Sequence, residues 1–526
     1  MIVGLPIDNA IFVGAALLIL GVFVAGLSDK LRLPAALLSL GLGMLFGSDA
    51  LGLVDIADYA MVRNFSVIAL IVILFEGGLT TKPSALRESG PPGFTLATLG
   101  VVITGAVTGV GAEWVFGFGW QTSLLVGAVV ASTDAAVVFD LVRRAPLPRR
   151  VAGILEVESG ANDPIAIVLT IGLLTGLEGV ASGVVDWAWF GFWQLSGGLL
   201  VGALVGVLAR WLLGLRLRSE GLYPIVAAGM AGLAYGGAAL VSASGFLAVY
   251  VTGLVIGATV PRHRRVIRSF HTSLANGADI GLFLLLGLLV FPSQLPGLAW
   301  ESLAVAGVLI VAARPLAVLI SMLPFRMPWR ETMVLSWAGL RGAVPIVLAT
   351  FPATAGIPEG QTIFNVVFFV VLTSTLIQGT TTVPLVRRLG LETEAPAWQS
   401  IAEALPIDAA DIDLVEIKVT PDLAISGKTL AEHPLRPGML VIAVLREGGA
   451  VIPSGQTLIH PDDVLVLSID QDLVEFTDVT AWARGEIQGV SDPPSPPPGP
   501  DHNEASGDSA PATGDERAGP GADHGE

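Results

Sequence analysis

The 526-residue sequence contains no cysteine, and only 14% of its residues are charged, although 53% are hydrophobic. The lack of cysteine excludes a disulfide framework, thiol chemistry and any metal site built on cysteine ligands. The shortage of charge excludes an ordinary soluble protein, in which about a quarter of the residues are charged. Because a soluble chain of this size cannot bury so much apolar surface, the sequence predicts a polytopic membrane protein.

The acidic residues are concentrated towards the C-terminal end. The net charge is −17, but residues 391–526 carry 25 Asp and Glu against 6 Lys and Arg. Residues 1–390 carry 20 against 22. The apolar part is therefore slightly basic, and nothing in its charge indicates binding of nucleic acid.

Apolar stretches recur along the first 385 residues, most of them near the roughly 20 residues that a helix needs to cross a membrane. We predict about 13 spans, near residues 9–27, 33–47, 62–80, 93–113, 121–142, 153–176, 191–213, 221–241, 243–260, 273–291, 301–323, 331–351 and 362–385. The first ten residues contain no Lys or Arg, which disfavours a cleavable signal peptide. The first stretch is therefore expected to remain as a span.

The basic residues lie almost entirely in the loops after odd-numbered spans. They are Lys30, Arg32, Lys82, Arg87, Arg143, Arg144, Arg149, Arg150, Arg216, Arg218, Arg262, Arg264, Arg265, Arg268, Arg326, Arg330, Arg387 and Arg388. Near the alternate loops, Arg63 is the exception. Since cytoplasmic loops collect Lys and Arg, we expect an external N-terminus, a cytoplasmic C-terminus and an odd number of spans.

The sequence changes character after the apolar part, which we take as a transmembrane domain at 9–388. Within residues 411–470, the runs DLVEIKV, GMLVIAVL and DVLVLSI are typical of strands separated by turns, and GKTLAEH could form a short helix. We expect a small cytoplasmic α+β domain at 405–485. Residues 489–526 are rich in Pro, Gly, Asp and Ser and are expected to be disordered.

Ionisable side chains inside a span cost about 3 kcal/mol each on membrane-insertion scales, so each one requires an explanation. Asp163 lies in mid-span before Pro164, which removes a backbone donor and frees carbonyl groups near the carboxylate. Burial favours the uncharged form of a carboxyl group, so Asp163 could exchange a proton for a cation. The alternative is a structural carboxylate paired with an arginine. Asn162 could donate a hydrogen bond to fix the carboxylate or make an ordinary interhelical bond.

Two further carboxylates lie in unusual surroundings. Asp134 follows Ser132 and Thr133, and three polar residues in one span suggest an interrupted helix with exposed carbonyl groups, as at transporter ion sites. The hydroxyl groups could instead bond back to their own helix. Glu76 precedes two glycines that allow close helix approach, and it could face the same cavity or form a structural pair.

Two arginines also lie within spans. An unpaired Arg341 would be very costly, and we expect Glu158 to be its partner in a structural ion pair. Arg314 also needs a partner, and the sequence leaves Asp279 and Glu156 open. The sequence contains neither a cluster of metal ligands nor a Ser-His-Asp pattern, so nothing in it indicates an enzyme.

These residues fall into motifs: Glu158-Ser159-Gly160 followed by Asn162-Asp163-Pro164, Ser132-Thr133-Asp134, G-L-R-G-A-V-P at 339–345, and F-E-G-G-L around Glu76. On these motifs, residues 9–385 resemble the monovalent cation:proton antiporters, in particular the NhaP-type bacterial branch. The resemblance implies an all-α fold of about 13 helices built as inverted repeats, with two interrupted helices that cross near the middle of the membrane.

The resemblance also implies roles for the site residues. Asp163 would be the carboxylate for which cation and proton compete, and Asn162 would orient the site and hold Thr133. Oxygen ligands or water contacts would come from Thr133, Asp134, Ser159 and Glu76. The Asn-Asp pair is similar to the electroneutral branch, which implies one K⁺ or Na⁺ for one H⁺. The resemblance further implies a homodimer in the lipid of a bacterial plasma membrane and an elevator-like movement.

Residues 411–470 resemble the C-terminal lobe of potassium-regulatory RCK proteins, of the TrkA-C type, over SGKTLAEHPLRPGMLVIAVLREG and VIPSGQTLIHPDDVLVLS. No dinucleotide-binding lobe precedes it, so NAD is not supported and no cofactor is expected. A small ligand such as a cyclic dinucleotide could bind this domain and regulate transport. The combination favours K⁺/H⁺ over Na⁺/H⁺ antiport. A regulated cation channel, the rival class, would need a carbonyl filter such as T-V-G-Y-G, which the sequence lacks.

Overall fold

The computed structural model describes residues 8–31, 34–54, 59–81, 83–134, 147–177, 184–259, 263–391, 412–446, 449–470 and 476–486. The chain forms two compact units, Met1–Ala395 and Pro396–Glu526. The first unit is helical and the second contains a small sheet.

The described α-helices of the first unit are numbered in chain order. They are α1 (Asp8–Ala25), α2 (Ser28–Leu31), α3 (Ala35–Phe46), α4 (Tyr59–Thr80), α5 (Pro83–Thr95), α6 (Val101–Phe116), α7 (Trp120–Val129), α8 (Arg149–Leu177), α9 (Val184–Leu213), α10 (Leu222–Leu240), α11 (Gly245–Thr259), α12 (Arg264–Leu288), α13 (Ala299–Gly307), α14 (Arg314–Met322), α15 (Trp329–Trp337), α16 (Ala343–Thr354) and α17 (Gly360–Arg388). Two π-helical turns, Leu96–Gly100 and Val308–Ala313, join α5 to α6 and α13 to α14, and 3₁₀ turns cover Pro292–Leu298 and Leu323–Phe325.

The apolar stretches of the sequence correspond to these helices. Within the described residues, every predicted span contains a helix, and seven helical stretches are long and apolar enough to cross a membrane. Shorter apolar helices include α1, α3, α11 and α16. The all-α polytopic fold is therefore confirmed, whereas the count of 13 crossings and the inverted repeats stay predictions.

The exposed surface of α9 is apolar along most of its length. Its outward side chains are large and apolar, including Phe192, Leu204 and Val207, which are all exposed. Trp189 and Trp211 are exposed near its two ends, and tryptophan is enriched at both membrane–water interfaces. Such a surface fits hydrocarbon between two aromatic belts.

The helices of the first unit fall into two groups, each of which packs chiefly within itself. The first group consists of α1, α3, α4 and α9–α12, and the second group consists of α5–α8 and α13–α17. Glycines allow close contact within a group: a Cβ at Gly78 of α4 would come within 2.9 Å of the Leu254 backbone nitrogen of α11. Between the groups, α4 meets α16 and α8 meets α9.

Two breaks in the second group lie against each other. After α7 ends at Val129 the chain is not helical over residues 130–134, and residues 338–342 separate α15 from α16. The backbone N–H of Asp134 donates to the Leu340 carbonyl at 2.9 Å, which joins the two breaks directly. The helix therefore ends where the sequence predicts an interruption, at residues 130–134, and the rest of that predicted span, 135–142, lies outside the described residues.

The second unit contains a four-stranded antiparallel sheet. Its elements are β1 (Ile412–Lys418), β2 (Met439–Arg446), β3 (Gly449–Val451), β4 (Val464–Asp470) and helix α18 (Phe476–Ala483), with strand order β1-β4-β2-β3. Trp482 of α18 is wholly buried and its indole N–H donates to the Pro434 carbonyl at 2.9 Å. The α+β class is confirmed. The short helix expected in GKTLAEH is wrong, because that stretch forms turns. The tail at 489–526 lies outside the described residues.

Candidate functional site

Asp163 lies near the middle of α8, beside the two breaks. Its side chain is only 6% exposed, and Asp134 and Arg341 act on it electrostatically. Of the buried side-chain oxygens in the described part of the chain that have no hydrogen-bond partner by geometry, four belong to Asp163 and residues of its motifs: Ser132 Oγ, Ser159 Oγ, Asn162 Oδ1 and Asp163 Oδ1. Unpaired buried oxygens are costly in a protein interior, so this group of atoms is suited to accept a cation or to share a proton.

Asn162 connects α8 to the non-helical segment after α7. Its side-chain Nδ2 donates a hydrogen bond to Thr133 Oγ1, and both residues are buried. This is the contact with Thr133 that the family resemblance implies for Asn162. The amide fixes Thr133 beside Asp163 without adding a charge.

Arg341 lies in the second break and contacts backbone rather than a carboxylate. Its Nη1 donates to the carbonyl oxygens of Ala131 and Ser132, both at 2.7 Å. Thr375 of α17 in turn donates to the Arg341 carbonyl at 2.8 Å. A guanidinium group here offsets the partial negative charge of carbonyls at the end of α7 and holds the two breaks together.

The expected pairing of Glu158 with Arg341 is wrong. Glu158 accepts two hydrogen bonds from Arg314, Nη1 to Oε1 at 2.5 Å and Nη2 to Oε2 at 2.8 Å. The partner of Arg314 is thus neither Asp279 nor Glu156. Arg314, the first residue of α14, lies within reach of Glu158, whereas the Nη1 atom of Arg341 is directed at two backbone carbonyl groups.

Glu76 is positioned from the first group of helices. It lies in α4, is half-buried, and accepts a hydrogen bond from Thr272 Oγ1 of α12 at 3.0 Å. Arg268, one turn earlier on α12, donates to the Leu79 carbonyl at 2.9 Å and 3.1 Å. The contact with Thr272 was not foreseen, since an isolated threonine in a span carries no signal of its partner.

Tyr250 is a second residue that the sequence did not reveal. It is buried on α11, and a Cβ built at Gly160 of α8 would lie 2.6 Å from its hydroxyl oxygen. Tyr250 therefore brings the first group into contact with α8 beside Ser159. Only a glycine at 160 leaves room for the phenol ring.

The carboxylates of Asp134 and Asp279 lie on opposite groups. A Cβ at Gly342 would collide with the Asp134 carboxylate, so the second break is shaped around that side chain. Asp279 is half-buried on α12, and the charged group that acts on it is Asp134. Its role was left open by the sequence.

Comparison with known proteins decides the family. The model of the sodium/hydrogen exchanger transmembrane family matches residues 15–388, which include both breaks and every residue of the site above. The chain belongs to the sodium/hydrogen exchanger family. A TrkA-C domain model matches residues 414–475. The predicted combination of cation:proton antiporter and TrkA-C domain is therefore confirmed.

Relatives of known name cover most of the chain. It is 36% identical over 484 residues to the K(+)/H(+) antiporter NhaP2 of Shewanella sp. (strain ANA-3), covering 91% of this chain and 84% of the relative. It is also 36% identical over 489 residues to the K(+)/H(+) antiporter NhaP of Alkalimonas amylolytica, with the same coverage. The Na(+)/H(+) antiporter NhaS2 of Synechocystis sp. is 30% identical over 353 residues, 63% of each chain.

A solved structure supports the family fold. The sodium proton antiporter MjNhaP1 from Methanocaldococcus jannaschii at pH 8 superposes with a TM-score of 0.66 and 26% identity. The match covers 73% of this chain and 99% of that one. The fold of this chain is therefore similar to that of a solved sodium proton antiporter.

Proposed function

We propose that this protein exchanges one K⁺ for one H⁺ across the membrane, with Asp163 as the shared binding group. The observation that supports this is the set of four buried oxygens on Ser132, Ser159, Asn162 and Asp163, only one of which can carry a charge. One such carboxylate accommodates either one proton or one monovalent cation. The exchange is then electroneutral.

Competition at Asp163 suffices for coupling. A proton on the carboxyl group removes the negative charge that holds the cation, and a bound cation displaces the proton. An empty, ionised Asp163 crosses rarely, because moving a bare charge through a low-dielectric region is costly. Thr133, Asp134 and Glu76 supply further oxygen ligands or water contacts, and Asn162 keeps Thr133 in place.

The names of the relatives that align with most of the chain favour K⁺ over Na⁺ as the substrate. The Shewanella and Alkalimonas relatives are both named K(+)/H(+) antiporters and align with 91% of this chain, whereas the Synechocystis relative named for sodium aligns with 63%. Oxygen ligands serve both ions and selectivity depends on their geometry. Na⁺/H⁺ exchange is therefore the alternative.

The distribution of basic residues supports the placement in the membrane. Lys and Arg collect at one set of helix ends, which we assign to the cytoplasm of a bacterial cell, with the N-terminus outside. The unit at Pro396–Glu526 is then cytoplasmic. There it binds a small ligand on residues 411–470 that regulates transport, and the chain functions as a homodimer.

Proteoliposomes containing the full chain and an internal pH dye test this function. K⁺ and Na⁺ are titrated separately, with and without an imposed membrane potential. We expect K⁺ to dissipate a proton gradient at lower concentration than Na⁺, at a rate that the potential does not change. Equal responses to both ions would remove the potassium preference, and a potential-dependent rate would contradict one-for-one exchange. Asp163→Asn removes the shared binding group and should abolish the response. Its matched control is Asp186→Asn, which alters an exposed carboxylate on α9.

A further inference from the structure

Side chains at one end of the membrane unit connect the two groups of helices. At the start of α4, the Tyr59 hydroxyl donates to Gln361 Oε1 of α17 at 2.5 Å, and Arg63 Nη1 donates to Thr354 Oγ1 of α16 at 2.9 Å. Both donors belong to the first group and both acceptors to the second. These bonds therefore cross the boundary along which the groups would have to separate.

Two more hydrogen bonds support the second-group side of this connection. Gln361 Nε2 donates to Asn365 Oδ1 within α17 at 3.4 Å, and Asn365 Nδ2 donates at 3.2 Å to Gln294 Oε1, in the turn after α12. The ring of Tyr59 also packs edge-on against Phe364, with centroids 5.8 Å apart. Gln361 therefore links Tyr59 to Asn365 and Gln294, and the Arg63–Thr354 bond is a second, separate link between the groups.

The position of these bonds explains why Arg63 lies outside the basic loops. In the orientation proposed above, α4 begins and α16 ends at the external face, where Arg63 departs from the rule that basic residues collect inside. A basic residue that helped to set the orientation in the membrane would lie at the cytoplasmic face. Its hydrogen bond to Thr354 gives Arg63 a local reason to be at the external face.

We propose that Tyr59, Arg63 and Gln294, together with Thr354, Gln361 and Asn365, form an external latch that closes the outer access to Asp163. This inference rests on the proposed antiport, because only alternating access requires the groups to part at this face. Most latch residues are half-buried. On opening they would exchange their bonds for bonds to water at modest net cost, which suits a contact that is made and broken in each cycle.

The absence of native cysteine allows the latch to be tested without measuring transport. Ser66 is wholly buried, and it lies on α4 one turn after Arg63, on the helix face that also carries Tyr59. Ser66→Cys is nearly isosteric and introduces the only thiol in the full chain. Its rate of reaction with a membrane-impermeant maleimide, added outside right-side-out vesicles, reports how often this face opens.

Gln361→Ala, made in the Ser66→Cys chain, removes the bond from Tyr59 that joins the two groups, together with the Gln361–Asn365 bond within α17. We expect external labelling to rise about fivefold, the change expected for the loss of about one net hydrogen bond between the groups. Tyr59→Phe and Thr354→Val each remove one bond between the groups with little change in shape, and we expect rises of similar size. The control is Thr380→Val on the same helix, whose hydroxyl bonds only within α17, and it should leave labelling unchanged.

Three outcomes would overturn the latch. They are unchanged external labelling in all three inserted latch variants, an equal rise in Thr380→Val, or a rise seen only with reagent on the cytoplasmic side of inside-out vesicles. The labelling needs no ion gradient, so its failure is distinguishable from failure of the proposed exchange. A chain that opens on loss of the latch but moves no K⁺ would retain the latch and reject the proposed function.

Discussion

Arg314 holds both carboxylate oxygens of Glu158, with N–O distances of 2.5 and 2.8 Å, and both side chains are almost wholly buried. Arg314 also donates to the Leu335 carbonyl of α15 at 3.2 Å. Glu158 precedes Asp163 by little more than one turn of α8. The ion pair therefore fixes the helix that carries the proposed exchange site to the helices around the second break.

Breaking this pair should destabilise the protein more than removing it. Arg314→Ala leaves a buried, unpaired Glu158, which we expect to cost about 3–5 kcal/mol. In the double variant Glu158→Leu/Arg314→Met no charge remains buried, so it should be more stable than Arg314→Ala alone. Thermal unfolding of the full chain in detergent measures both. A double variant that is no more stable than Arg314→Ala would show that the unpaired Glu158 is not the cause of the loss.

Asn162 and Thr133 should act as one unit. Each of Asn162→Ala and Thr133→Val removes the same hydrogen bond, so the fall in exchange rate caused by one should be largely absent in the background of the other. Thr133→Ser keeps the hydroxyl group and should retain most of the activity. Initial exchange rates in proteoliposomes test this. Independent, multiplying effects of the two substitutions would mean that Asn162 does not act through Thr133.

The second break should not tolerate a side chain at Gly342. Gly342→Ala places a methyl group where the Asp134 carboxylate lies, and we expect exchange to fall about tenfold or more, as for a binding group displaced by roughly 1 Å. Gly307→Ala, at the end of α13, meets nothing within 4 Å and serves as the control. If both variants insert and exchange equally well, Gly342 does not set the position of Asp134.

The helices and the motif residues next to Asp163 could be predicted from the sequence, because hydropathy and local motifs encode them directly, whereas Tyr250 could not. The sequence assigned the wrong arginine to Glu158, because the pairing depends on tertiary packing. Arg314 and Arg341 are both single bases in apolar stretches. The one that meets Glu158 is 156 positions away along the chain, and only the packing of the helices brings the two together. The π-helical turn that precedes Arg314 also has no clear sequence signal.

The small domain shows the same limit at short range. The runs of β1, β2 and β4 were readable from their β-branched residues, whereas β3, with three residues, and helix α18 were not. GKTLAEH has residues compatible with a helix, but the glycine at 427 adopts a φ of 74° and the following residues form turns. Tertiary contacts override weak local preference there.

Stability of the cytoplasmic sheet should depend on pH through Asp463. Arg446 donates to both Asp463 oxygens, at 2.8 and 2.7 Å, and these hydrogen bonds hold the pKa of that buried carboxyl below its ordinary value. A lowered pKa in the folded state contributes stability above the ordinary Asp range, and this is lost as the pH falls through the folded value. Below about pH 4, hydrogen exchange of Val464–Asp470, corrected for its intrinsic pH dependence, should therefore accelerate.

Arg446→Met should remove most of this acid sensitivity and weaken the sheet at pH 7. Lys418→Met is the matched control, because the bridge from Lys418 to Asp462 is exposed and contributes little. Identical pH profiles for wild type and Arg446→Met would show that Asp463 is not the titrating group.

The central claim is that cation and proton compete for Asp163. The most direct test is proton release on addition of K⁺ to the purified full chain in weakly buffered detergent, where no gradient or transport step is involved. We predict that K⁺ releases close to one proton per chain at a pH where the site is protonated, and progressively less as the pH rises. Asp163→Asn should release none, whereas Asp186→Asn should match the wild type. Undiminished proton release from a folded Asp163→Asn chain would contradict the account.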